Sequence, residues 1–132
     1  MDGLETDQDL QLIKDYILLP IAFDALERDI RTFQCAPLKV PAVYIKYSRR
    51  IQRKIDVDLS LLRTQLRQQG IKVYDAKRMK HSVEAEYVYR GYRRKFAMVW
   101  GVVKAEVLRR LSVYMDIELT DGSGTSDDNV TA

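Results

Sequence analysis

Residues 12–33 read LIKDYILLPIAFDALERDIRTF. Leu12, Tyr16, Leu19, Phe23, Leu26, Ile30 and Phe33 recur at alternating spacings of four and three, the period of one face of an α-helix. Ile13 and Ile17 widen that stripe, as a helix facing a globular core requires. Asp7 or Asp9 is placed to cap its start. Pro20 lies inside the pattern and removes one backbone donor, so a kink is expected between Tyr16 and Pro20. The helix should stop before Pro37.

Working outward from this helix, Pro37 and Pro41 bracket a short connection. A second helix is expected from Leu38 or Pro41 to Gln69, with Tyr44, Tyr47, Ile51, Ile55, Leu59, Leu62 and Leu66 on its apolar side. Gly70 stands where a helix ends in a left-handed residue. The period then shortens to two. Ile71 and Val73, then Val83, Ala85, Tyr87 and Tyr89, alternate with more polar neighbours and predict two short strands joined by a loop over 75–82. Helix-forming residues leave a helix over 77–90 open as the alternative. A third long helix is expected from Gly91 or Tyr92 to about Leu119, with Phe96, Val99, Trp100, Val103, Val107, Leu111 and Tyr114 on its apolar side.

The expected fold is therefore mainly α: a helical hairpin plus a C-terminal helix, with a β-hairpin near 71–90 inserted before that last helix. The domain should run over 9–118. Residues 1–8 read as a flexible start, and the Gly-, Ser- and Asp-rich residues 119–132 as a disordered acidic tail. A chain of 132 residues fits one domain. The single cysteine, Cys35, rules out an internal disulfide and points to a reducing compartment. No apolar run approaches the roughly 20 residues that span a bilayer, so a cytoplasmic protein without a membrane partner is expected.

The net charge of +3 conceals a block pattern. Residues 1–38 carry −5, residues 39–110 carry +13, and residues 111–132 carry −5. A basic centre attracts polyanions, acidic protein surfaces or the chain's own acidic ends. Its candidate anion-binding residues fall in three runs. Lys46, Arg49, Arg50, Arg53, Lys54, Arg63 and Arg67 lie on the second helix. Lys77, Arg78 and Lys80 lie in the loop. Arg90, Arg93, Arg94 and Lys95 lie at the expected start of the third helix, interleaved with tyrosines. Arginine holds phosphates and tyrosine stacks on bases, so this combination suits nucleic acid. The plainer reading of each run is a solvated face that keeps the chain soluble. No helix-turn-helix is visible.

Tyr44, Tyr47, Tyr89, Tyr92 and Trp100 are the residue types that anchor interfaces, and with the apolar seam of the first helix they point to a homodimer. His81 is the sole histidine, and one histidine without a cysteine cluster makes no zinc site. Cys35 lacks a paired base, and Glu84 and Glu86 more simply balance nearby cations than perform acid–base work. No glycine-rich phosphate loop occurs. No cofactor, no metal and no enzymatic activity are expected.

The stretches GIKVYDAKR and EAEYVYRGYRRKFAMVWGVVKAEV resemble a type of small bacterial and phage-carried protein of unassigned function. The resemblance covers about Leu10 to Tyr114. It implies a bacterial cytosolic setting and a regulatory or accessory role, and it assigns no site. Two functions are expected side by side: a non-enzymatic nucleic-acid-binding module with a basic central surface, or a helical homo-oligomeric adaptor that meets an acidic protein partner.

Overall fold

The computed structural model describes residues 5–119. Helix α1 spans Asp7–Cys35 and α2 spans Pro41–Gln68. Four strands follow: β1 Ile71–Val73, β2 Lys77–Arg78, β3 Ser82–Tyr89 and β4 Tyr92–Val99. Helix α3, Trp100–Met115, ends the described fold. The expected tail lies almost wholly outside the described residues.

The start of α1 is fixed by Thr6 rather than by Asp7 or Asp9. Thr6 Oγ1 accepts from the Asp9 amide at 3.0 Å, and Asp9 Oδ2 accepts from the Thr6 amide at 3.4 Å, a reciprocal capping box. The helix runs on through Pro20 without a break. Its buried side is Ile13, Ile17, Leu18, Leu19, Ala22, Leu26 and Ile30, while Leu12, Tyr16, Phe23 and Phe33 are half-buried. The core stripe is thus rotated by about one residue from the seam read in the sequence, because elements pack on α1 from more than one side.

Helix α2 runs antiparallel to α1. Gln52 Nε2 donates to the Phe23 carbonyl at 3.2 Å, and the Phe33 and Tyr44 rings meet at 5.5 Å. Pro41 opens α2 at a position whose missing amide costs nothing. Gly70 follows with φ +71, the left-handed turn expected of it. Ile51, Ile55, Leu59, Leu62 and Leu66 form the inward side of α2.

The sheet is larger than the expected hairpin. Tyr92–Val99 is a strand, not the first turns of a helix, and pairs antiparallel with β3 from Tyr89↔Tyr92 to Ser82↔Val99. Arg90 and Gly91 alone connect β3 to β4, with φ +50 and +91. Two consecutive positive φ values make the tight turn whose twist suits a two-residue hairpin. β1 and β2 occupy the other edge of β3. Between Val73↔Tyr87 and Lys77↔Glu84 the first strand advances four residues while β3 retreats three, so one extra residue is absorbed as a bulge. The expected β1–β3 pairing is present, the helix over 77–90 is not, and α3 begins at Trp100.

One face of the sheet covers α1. Val83, Ala85, Tyr87 and Tyr89 are buried there. The Tyr89 hydroxyl donates to Asp9 at 2.8 Å, and the Tyr87 hydroxyl donates to Glu5 at 2.6 Å. Arg78 reaches Asp24 at 2.7 Å, so the sheet braces α1 at its start and again just past its middle. Helix α3 then packs back on the helical pair: Arg110 meets Asp15 at 2.8 Å, Tyr114 donates to Asp58 at 2.6 Å, and Tyr47 donates to the Met115 carbonyl at 3.3 Å.

Candidate functional site

The helical repeat of α2 sorts its cations. With Ile51, Ile55, Leu59 and Leu62 facing α1, residues 46, 50, 53 and 57 point the opposite way. Lys46, Arg50, Arg53 and Lys54 are all exposed and form one ridge over about 12 Å of helix, at roughly 1.5 Å per residue. Among the described residues none of the four has an acid within ion-pair distance. Tyr47 stands at the edge of this ridge, three residues before Arg50, with its ring partly exposed and its hydroxyl tied to Met115.

Arg49 belongs to a different structure. Its guanidinium donates to Glu27 at 2.8 Å and to Gln52 at 3.1 Å, and Gln52 itself donates to Glu27 at 3.0 Å. The hydrogen bonds from Gln52 and Arg49 hold the Glu27 carboxyl below the ordinary carboxylate range. Arg49 is therefore a brace between α1 and α2. Arg67 is exposed near the end of α2. Arg63 lines a cleft of about 400 Å³ together with Pro20, Tyr74, Asp75 and Arg78.

The other two runs sit on the sheet, where register decides their fate. Lys77 stands opposite Glu84, and Lys95 opposite Glu86. With Arg93 they share the solvent-facing side, and Arg93 meets Glu86 at 3.2 Å. Arg94 points to the other side, where it reaches Glu5 at 3.5 Å. Arg90 lies over the Tyr89 ring at 5.2 Å and donates to the Gln69 carbonyl at 3.4 Å. Lys80 is exposed at the β2–β3 turn. Placing Arg93, Arg94 and Lys95 at a helix start is thus corrected: they alternate across a strand.

Of the expected interface aromatics, Tyr89 is 1% exposed and serves the core. The carboxylate of Asp9 and burial together raise its phenol pKa. Trp100 is half-buried and donates to the Met79 carbonyl at 2.8 Å, which pins the β2–β3 turn to α3. Tyr44, Tyr47 and Tyr92 remain exposed. His81 is exposed, and its carbonyl accepts from the Trp100 amide. Cys35 is exposed at the end of α1. Among the described residues no three His, Cys, Asp or Glu side chains gather as metal ligands. Among the described residues no helix is long and apolar enough to cross a membrane.

The sequence alone does not single out the counter-ions Glu5, Asp24 and Glu27, whereas Glu86 balances a nearby cation as expected, Arg93 at 3.2 Å. Its cross-strand neighbour is Lys95, which the period of two reaches once it is extended past Arg90–Gly91. Glu5 and Asp24 oppose Arg94 and Arg78 only through tertiary packing.

This arrangement defines a class: a helical pair backed by an antiparallel meander, with one helix face left cationic. The chain belongs to the YhjD protein family, whose model matches residues 4–119. No curated protein and no solved structure matches it.

Proposed function

We propose that this protein is a non-enzymatic nucleic-acid-binding accessory module that lays the outward face of α2 against a phosphate backbone. The observation that carries the reading is the ridge of Lys46, Arg50, Arg53 and Lys54, exposed and without acidic partners among the described residues. An open row of cations with no enclosing walls suits an extended polyanion better than a single small anion. The exposed edge of Tyr47 offers a base a surface to stack on. The braced cations, Arg49, Arg78, Arg93 and Arg94, contribute far less.

The test is an anisotropy titration with a labelled single strand and a duplex at two salt concentrations. Four phosphate contacts give a log–log salt slope of roughly −4 on duplex and about −3 on single strands. Absence of binding to both at low salt overturns the reading.

A second reading, a homo-oligomeric adaptor meeting an acidic protein, is favoured by exposed apolar side chains. Val57 and Leu61 continue the outward side of α2, and Val113 on α3 is 76% exposed. Capture of an acidic protein by the ridge, with nucleic acid failing to compete, supports it over the first.

A further inference from the structure

We infer that the segment Ile117–Leu119 of a second copy of this chain adds as a strand to the open edge of β4. Three observations meet here.

The first is the edge itself. Among the described residues β4 pairs on one side only, with β3. In a two-residue hairpin the closing pair exchanges both backbone hydrogen bonds, and such pairs then alternate along the ladder. Counting from Tyr89↔Tyr92, the bonded residues of β4 are Tyr92, Arg94, Phe96 and Met98. Arg93, Lys95, Ala97 and Val99 therefore turn their N–H and C=O groups outward. Glu86, opposite Lys95, confirms the phase, because its carbonyl accepts from Tyr74 on the far side of β3. An eight-residue strand with four such residues is a template for strand addition.

The second is the segment. Asp116 closes α3 in the left-handed conformation, φ +58, and the chain continues Ile117-Glu118-Leu119. Apolar and polar residues alternate there with the period of a strand. Ile117 and Leu119 are 54% and 51% exposed, so neither is covered within the described chain.

The third is charge. Arg93 and Lys95 stand on the solvent-facing side of the sheet at its open edge. A strand that sets Glu118 on that side meets them and extends the row from Glu86 through Lys95 to a further acid. Opposite charges across strands stabilise each pair modestly and fix its phase. The same phase turns Ile117 and Leu119 towards the side of Phe96 and Met98.

The donor is a second copy rather than the same chain. Helix α3 has 16 residues, about 24 Å at 1.5 Å per residue, and it starts where β4 ends. The Tyr47–Met115 hydrogen bond holds its far end on α2. Ile117 and Leu119 are thus carried away from their own β4, and two copies exchanging segments form a closed, twofold pair.

The proposal stands apart from nucleic-acid binding, since its test contains no nucleic acid. In a Cys35→Ser background, Lys95→Cys and Glu118→Cys are combined in the full chain and oxidised. Residues opposite each other on adjacent strands lie within disulfide reach. The expected result is a dimer linked between positions 95 and 118. A control pair, Lys46→Cys with Glu118→Cys, should link far less. Light scattering over a concentration series is the second measurement. The unaltered chain should dimerise, and Ala97→Pro should weaken the dimer about tenfold or more while thermal unfolding stays cooperative, since that amide points away from β3. A strict monomer, equal linkage in the control pair, or a dimer indifferent to Ala97→Pro overturns the proposal.

Discussion

Helix α2 and the meander carry similar numbers of cations but leave them in different states. Seven lie on α2, and among the described residues only Arg49 forms an ion pair. Eight lie between Ile71 and Val99. Three of these, Arg78, Arg93 and Arg94, are held by carboxylates, while Arg90 and Lys72 rest over tyrosine rings. The cause is geometric. A helix packed on one side turns a whole face away from its neighbours. A strand in a sheet has a cross-strand partner at every position, and β3 supplies Glu84 and Glu86 there. Local composition does not decide which cations are available; the neighbours do.

The largest effect is expected on α2. Reversing its ridge with Lys46→Glu, Arg50→Glu, Arg53→Glu and Lys54→Glu should lower nucleic-acid affinity about 100-fold at low salt, because several phosphate contacts are lost together. The melting temperature should barely change, since all four side chains are exposed. Unchanged affinity in the titration would remove the distinction between the two regions. A smaller effect is expected on the sheet. Arg93→Ala with Lys95→Ala should weaken binding by less than about threefold, because Arg93 is engaged by Glu86 and its exposed pair is itself worth little. A loss comparable to that of the α2 variant would show the meander to be part of the contact.

The subtlest probe is acid. Burial pushes the Glu5 carboxyl up, but the Tyr87 hydrogen bond, with its own backbone hydrogen bond and Arg94, outweighs it, and the pKa lies below the ordinary 4.5. Such a group stabilises the fold fully above 4.5, and its contribution fades as pH falls through the lower folded value. Glu5→Gln should therefore melt at a lower temperature than the parent at pH 7, and the gap should narrow as the pH is taken progressively below 4.5. A gap that persists unchanged in acid would show that the carboxylate charge does not brace the sheet.

Much of this fold can be read from residue order. The seams of α1 and α2, Pro41 and Gly70 mark both helices to within a few residues, since apolar period and breaker agree there. β4 carries a helical signal for a physical reason. Arg93, Arg94, Ala97 and Met98 favour helices, and Phe96, Val99, Trp100 and Val103 continue at helical spacing into α3. The contrary signal was Arg90-Gly91 between Tyr89 and Tyr92, two residues that make a turn once both strands are allowed. Of the candidate site, the α2 cations were legible as a run. Their separation into ridge and brace was not, because Glu27 lies 22 residues from Arg49 in sequence.

The chain passes from β4 to α3 with no residue in between, Val99 ending one and Trp100 opening the other. That join has no slack to absorb a change in length. A single residue inserted there would rotate α3 by about 100° at 3.6 residues per turn, swinging Val103 and Val107 out of the core and Arg110 away from Asp15. Insertions should be far better tolerated in the exposed connection 37–40 between α1 and α2, so the join acts as the molecule's gauge, holding the angle between sheet and last helix.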